Sequence, residues 1–143
     1  MSAAATVEQI MRAEFPRFGP AMPIREAVAT FARQGIGAAP IIDDAGGLIG
    51  ILTEKDCFRP MLNASYYQQW SGSVADFMSG DVRALPCDLD LVSAAEEFLA
   101  RSHRVYPVLR DGDVVGMLHR SDLFAAILAA SQPLARGMTQ SGT

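Results

Sequence analysis

The sequence predicts an α+β protein made of two tandem βαββα repeats packed through their sheets. Three observations point there. One pattern of apolar residues, proline, glycine and aspartate occurs twice, 67 residues apart, as in Ile24-Arg25-Glu26-Ala27-Val28 against Leu91-Val92-Ser93-Ala94-Ala95. Each copy carries a helical apolar stripe followed by two short apolar runs joined by a turn. Finally, a unit of roughly 60 residues buries too small a core to stand alone, whereas two units facing each other through their sheets do not leave those faces exposed.

The repeat can be followed residue by residue. The same shift carries Met11 to Met78, Phe15 to Val82, Phe31 to Phe98 and Pro40 to Pro107. Beyond the next turn the shift is 66, pairing Gly50 with Gly116 and Asp56 with Asp122. The one deletion lies between Asp43 and Gly50, in a turn, where length changes are tolerated.

Each copy opens with a lead-in ending in an apolar pair. A helix follows, with apolar residues at 24, 27, 28 and 31 in copy one and at 91, 94, 95 and 98 in copy two. This i, i+3, i+4, i+7 spacing makes one buried face. Asp88 or Asp90 can cap the second of these helices. Two strands come next. In copy one they are Pro40-Ile41-Ile42 and Leu48 to Leu52, around the turn Asp43 to Gly47. In copy two they are Val105 to Leu109 and Val114 to Leu118, around Asp111-Gly112, a dipeptide suited to the positive φ angles of a tight hairpin. A second helix closes each copy, starting near Glu54 and running from about Ser121 to Ala130. Repeat one therefore spans 7–60 and repeat two 74–130. The connector, 61–73, contains Tyr66, Tyr67 and Trp70, which pack over a core edge or make a subunit contact. The polar stretch 131–143 is expected to be a disordered tail.

Composition narrows the function. Of 143 residues, 50% are hydrophobic and 20% charged, too apolar for a disordered chain. A net charge of −4 and a pI near 5.0 argue against a nucleic-acid partner. The longest uninterrupted apolar run, Leu123 to Ala130, is far shorter than the roughly 20 residues that span a bilayer, so no membrane association is expected. The N-terminal MSAAATVEQI has no signal-peptide pattern. Cys57 and Cys87 form no CxxC pair and read as small buried hydrophobes in a reducing, cytoplasmic setting.

Signals for catalysis are poor, and the chain is expected not to be an enzyme. His103 and His119 lack metal-ligand partners at usable spacing. Ser102-His103 and Cys57 show no nucleophile arrangement. Glu96 and Glu97 are adjacent and read as a solvated helix edge. No Walker-type or Rossmann-type glycine loop occurs.

An apolar-Pro-apolar strand, a hairpin, and then Gly-apolar-apolar-(Thr)-x-x-Asp leading into a helix, with Met before the first strand, resembles the CBS domain. Two copies in register resemble a CBS pair, or Bateman module, over about residues 7 to 130. The resemblance implies pseudo-twofold packing of the two sheets and two clefts able to hold an adenosine ligand: AMP, ADP, ATP, NAD or S-adenosylmethionine. It also implies association of two pairs into a homodimer, and no required cofactor.

The candidate residues follow. In copy one, Gly50 removes a side chain where a ligand can approach the backbone. Thr53 and the free N–H groups of the helix start can hold a phosphate, with Lys55 adding charge. Asp56 can accept hydrogen bonds from both ribose hydroxyls. Thr53 and Asp56 equally fit a capping box, and both roles can coexist. In copy two, Asp122 matches, but His119 stands where the family has Thr or Ser. Arg120 either contacts phosphate or belongs, with His119, to a solvated helix start, and Ser121 reads as a cap. The resemblance assigns adenine recognition to backbone before the strand proline: Gly37, Ala38 and Ala39 in copy one, and Arg104, Val105 and Tyr106 in copy two. Tyr106 can stack on a base or serve as a core tyrosine. The family's lead-in Thr is replaced by Arg17 and Ala84; Arg17 reaches a phosphate or faces water. Two functions are open: a sensor that binds an adenine nucleotide and acts on an unidentified regulated protein, or a ligand-free module for dimerisation and docking.

Overall fold

The computed structural model describes the backbone of residues 5–142 and the side chains of residues 5–131. In chain order, copy one contributes α1 (Val7–Ile10), α2 (Ile24–Gln34), β1 (Ala38–Ile42), β2 (Leu48–Thr53) and α3 (Glu54–Tyr67). Copy two contributes α4 (Val74–Phe77), β3 (Leu85–Pro86), α5 (Leu91–Ala100), β4 (Val105–Arg110), β5 (Asp113–His119) and α6 (Arg120–Gly142).

The apolar stripes fold as their spacing requires. Helix α2 buries Ile24, Ala27 and Phe31, and α5 buries Leu91, Ala94 and Phe98. Thr30 joins the buried stripe of α2 because its hydroxyl donates to the Glu26 carbonyl at 2.9 Å. Gly35 ends α2 at φ 63°, the left-handed conformation glycine adopts without a Cβ clash. Between the two candidate caps for α5, Asp90 is the one used: its Oδ2 accepts the Ser93 N–H at 3.1 Å.

Both hairpins are antiparallel and share one register. Pro40 faces Ile51 and Ile41 faces Gly50, while Pro107 faces Met117 and Val108 faces Gly116. Each ladder shifts at the next residue, between Ile41 and Ile42 and between Val108 and Leu109. Asp111 and Gly112 take φ values of 52° and 86°, the tight turn expected of that dipeptide.

The third strand differs between copies. In copy two, β3 runs parallel to β4, and the Cys87 N–H donates to the Leu109 carbonyl at 2.9 Å. The equivalent of Cys87 is Pro20, which has no N–H to give. Copy one is left with a single parallel bridge, Phe18 to Ile41, and a two-stranded sheet.

The short helices α1 and α4 are not foreseen in the sequence, and they cross over. The Val7 N–H donates to the Leu89 carbonyl, and Val7 packs with Leu85, Leu91, Phe98 and Leu118 of copy two. Reciprocally, the Val74 N–H donates to the Met22 carbonyl, and Val74 packs with Phe18, Ile24, Phe31 and Leu52 of copy one. Both valines are fully buried, a contribution of about 1.5–3 kcal/mol each. Thus each lead-in completes the core of the other half. A third cluster (Ala38, Ile51, Val105 and Met117, flanked by Phe15 and Val82) joins the two sheets. Its members pair off under the repeat, as do the bridges Arg12 to Met117 and Ile51 to Ser79, so the halves are related by a pseudo-twofold.

Two boundaries move. Helix α3 continues to Tyr67 with Pro60 inside it, so most of the expected connector is helical. Pro60 forfeits only one helical hydrogen bond, and it is buried, while Met61, Leu62 and Ala64 favour helix beyond it. Helix α6 passes Ala130 into the expected tail, where the side chains and Thr143 lie outside the described residues. Among the described residues, no helix is long and apolar enough to cross a membrane.

Candidate functional site

Cleft one forms where β1 starts and α3 starts. The Glu54 N–H donates to the Gly37 carbonyl at 2.8 Å, tying the two together. Thr53 is the N-cap of α3. Its Oγ1 accepts the Asp56 N–H at 3.2 Å, and its own N–H donates to Asp56 Oδ2 at 2.9 Å. The capping box is therefore real, yet it engages only one carboxylate oxygen. Among the described residues Oδ1 of Asp56 has no protein partner and remains available as an acceptor. Lys55 is exposed one residue earlier. Next to Gly37 in sequence, Ile36 lines a pocket of about 290 Å³ with Glu14, Phe15, Pro16 and Gln34. A Cβ on Gly37 would meet nothing within 4 Å, so the backbone there faces open space. Ala38 and Ala39 are buried, Ala38 between the sheets and Ala39 in the copy-one core. Their methyls line the protein interior, leaving the backbone as their only polar offering.

One expectation for copy one is corrected. Gly50 does not open the backbone to a ligand: a Cβ there would come 2.5 Å from Met78 Sδ and 3.0 Å from the Ser79 carbonyl. The missing side chain makes room for the crossed lead-in. Arg17 is exposed to water, the second of its two expected roles, with its guanidinium 4.7 Å from the Phe15 ring centroid and 3.5 Å from the Val114 carbonyl of copy two.

Cleft two repeats the backbone and changes the side chains. The Arg120 N–H donates to the Arg104 carbonyl at 2.8 Å, as Glu54 does to Gly37. His119 replaces the capping threonine, and Asp122 turns to Arg12 instead. Arg12 Nε donates to Oδ2 at 2.7 Å and Nη2 to Oδ1 at 3.3 Å, from 110 residues away. The Arg12 hydrogen bond holds the Asp122 carboxyl below its ordinary range, against the opposing cost of burial. Burial chiefly, and then the Arg12 cation, lower the His119 pKa, while Asp122 opposes them. The neutral imidazole is favoured.

Of the two readings of Tyr106, base platform or core tyrosine, the structure has the core tyrosine. It is fully buried, its hydroxyl donates to the Glu97 carbonyl at 3.2 Å, and its ring meets Phe98 edge-on at 4.7 Å. His103 stacks on it at 5.0 Å. Val105 is buried between the sheets. Arg104 is exposed, and Arg120 lines the groove between α5 and α6. Glu97 is more than a solvated edge, since Arg83 donates to it at 3.0 Å and Arg101 lies at 3.9 Å. Sequence reasoning missed Arg12 and the pocket residues Glu14, Pro16, Gln34 and Ile36. Their signal was positional only, flanking Met11 and the start of β1.

This geometry, a duplicated α+β unit with equivalent aspartates, Asp56 and Asp122, in the first turn of its closing helices, defines a tandem-repeat module with two related candidate sites. The CBS domain family matches residues 7–63 and 74–129, and the chain belongs to that family as a CBS pair. Among curated proteins it is similar to the uncharacterised protein MJ1225 of Methanocaldococcus jannaschii, 29% identical over 99 residues, or 69% of this chain. The aligned part is 34% of that relative's length. Among solved structures it resembles CBSX2 in complex with AMP, a CBS-pair protein of Arabidopsis thaliana. That likeness has a TM-score of 0.76 at 23% identity, covering 87% of this chain and 97% of the other. It also resembles the CBS domain pair of protein MJ0100 in complex with 5′-methylthioadenosine and S-adenosyl-L-methionine, with a TM-score of 0.74 at 21% identity. That likeness covers 90% of this chain and all (100%) of the other. At such identities the likenesses establish the fold.

Proposed function

We propose that this CBS pair is a non-catalytic regulatory module that binds an adenine nucleotide or related adenosine compound, chiefly in cleft one. One observation carries the reading: Asp56 presents an unpartnered Oδ1 at the start of α3, beside the Thr53 cap, and the Glu54–Gly37 hydrogen bond ties that helix start to the residue after pocket-lining Ile36. A carboxylate oxygen suits a ribose hydroxyl, the capped helix start suits a phosphate, and the apolar walls Phe15, Pro16 and Ile36 suit a base. The AMP bound by CBSX2 and the methylthioadenosine and S-adenosylmethionine bound by MJ0100 support this ligand class.

Regulation requires that ligand prefer one arrangement of the protein over another. The arrangement we favour is a homodimer whose geometry a partner protein reads. Exposed apolar residues recur in both halves, Phe58 and Leu62 on α3 and their repeat equivalents Phe124 and Leu128 on α6. A pair of matching apolar helix faces suits association with a second copy. The two unpaired cysteines suit a reducing compartment such as the cytoplasm.

A thermal-shift panel of AMP, ADP, ATP, NAD and S-adenosylmethionine tests the reading. A ligand at 100 times its Kd stabilises the fold by about 2.7 kcal/mol. No shift with any of the five at millimolar concentration overturns it. The second reading, a ligand-free dimerisation and docking module, is favoured by the occupied carboxylate of Asp122. It requires a dimer whose mass and shape, by light scattering, ignore all five compounds.

A further inference from the structure

We infer that Arg12 acts as a built-in competitor for the ribose position of cleft two, making the two clefts unequal. The inference rests on the ligand class proposed above. Its basis is a comparison of four residues under the pseudo-twofold. Arg12 and Ser79 are equivalent, and their backbones do the same thing. The Arg12 N–H donates to the Met117 carbonyl at 2.9 Å, and the Arg12 carbonyl accepts the Met117 N–H at 3.0 Å. The Ser79 N–H donates to the Ile51 carbonyl at 2.9 Å, and the Ser79 carbonyl accepts the Ile51 N–H at 3.0 Å. Only the side chains differ. The arginine reaches across to Asp122 and engages both of its oxygens; no hydrogen bond joins Ser79 to Asp56, whose Oδ1 stays open.

The guanidinium edge offers two parallel N–H donors to one carboxylate. A ribose 2′,3′-diol offers two adjacent O–H donors to the same group. Arg12 therefore satisfies the acceptor that a nucleoside would use, and nucleoside binding in cleft two must displace it. The pair is half exposed on the arginine side, so this is competition rather than a permanent seal. A serine at position 12 would reproduce the arrangement of cleft one, and an arginine at position 79 would reproduce that of cleft two.

Calorimetric titration of AMP into the wild-type chain, Arg12→Ser and Ser79→Arg reads this directly, with melting curves showing that each variant is folded. The wild type should bind one AMP per chain. Arg12→Ser should gain a second event, tighter by about tenfold or more than any second event in the wild type, the scale of one charge-assisted hydrogen bond. Adding Asp122→Asn to Arg12→Ser should remove the gained event. Ser79→Arg should weaken the first event by a similar factor; should it misfold, the Arg12 variants decide alone. Two equal events in the wild type, no gain in Arg12→Ser, or weaker second binding in that variant overturns the inference while leaving the ligand class intact. Should AMP be silent, the same titrations use whichever of ADP, ATP, NAD or S-adenosylmethionine binds, and silence to all five in every variant overturns the ligand reading itself, and the competitor role with it.

Discussion

Replacing Gly50 with alanine tests the crossed lead-ins. The added Cβ would sit 2.5 Å from Met78 Sδ, 3.1 Å from Met78 Cγ and 3.0 Å from the Ser79 carbonyl oxygen. The methionine can swing aside. The carbonyl cannot move freely, because it accepts the Ile51 N–H while Ser79 donates back to Ile51. Relief must come from shifting the whole lead-in of copy two against β2. Overpacking of this kind costs about 1–3 kcal/mol. At roughly 2–4 °C per kcal/mol for a chain of this size, melting should fall by about 2–12 °C. Gly80→Ala is the control, since its Cβ would meet nothing within 4 Å. Its effect should stay within about 0.5 kcal/mol. Combining Gly50→Ala with Met78→Ala should give a cycle non-additive by about 0.5–3 kcal/mol, because the side-chain part of the clash disappears. The assay is urea or thermal unfolding by circular dichroism. A Gly50→Ala chain that melts with the wild type, or an additive cycle, refutes the crossed packing.

Asp56→Ala should weaken AMP binding by about 1–3 kcal/mol, the scale of lost hydrogen bonds to a charged group. Calorimetry that finds an unchanged Kd removes Asp56 from the site. The Cys57 thiol is pushed up from 9.0 to about 11, by burial first and then by the Asp56 and Glu54 carboxylates. An acid whose folded pKa is raised keeps its full stabilising effect below the unfolded pKa and loses it as pH rises. Denaturant stability should thus decline from pH 9.0 towards about 11, by at most about 3 kcal/mol, and Cys57→Ala should flatten that decline. By NMR, His119 should titrate below its ordinary 6.5, and Arg12→Ser should move it upward, since the nearby cation is gone while Asp122 stays. Phe124, 73% exposed, lies on the apolar face of α6, so Phe124→Asp should leave the fold intact and shift a dimer to monomer in sedimentation. An unchanged mass removes that face from the interface.

Most of the fold was legible because it is local. The stripes on α2 and α5 and the hairpin at Asp111-Gly112 all follow from residues within one copy. The exchange of α1 and α4 was not legible. Val7 and Val74 are the same residue in equivalent settings, so the apolar pattern cannot say which copy each one enters. Pro20 shows the same limit differently: its missing N–H removes a strand only because Cys87 donates at that place in the other copy. At the clefts, Thr53 and Asp56 were readable as a capping box, which their reciprocal hydrogen bonds form. The fate of Asp122 was not, since it depends on a residue 110 positions away. Tyr106 was legible as a base platform or a core tyrosine, and the carbonyl partner that its hydroxyl finds inside the core decides for the second.

Crossing also bears on how the two clefts can communicate. Residues 14–16 line the pocket at Ile36, the residue before Gly37 of cleft one, and Arg12, two residues earlier, is hydrogen-bonded to Met117 and to Asp122 in copy two. One short segment thus touches both sites through covalent continuity, with Met11 packed over Gly116 just before it. Contact alone does not make coupling. A ligand at Phe15 and Pro16 shifts the Arg12–Asp122 pair only by the amount that it prefers one placement of residues 12–16 over another. The reverse lead-in offers no such handle, because Ser79 holds no carboxylate. Any influence between the clefts should therefore run through the first lead-in, and by reciprocity it must act with equal free energy in both directions. A duplicated fold keeps its symmetry in the backbone, where pairing and burial demand it, and loses it at positions such as 12 and 79, where the backbone hydrogen bonds are already made whichever side chain is present.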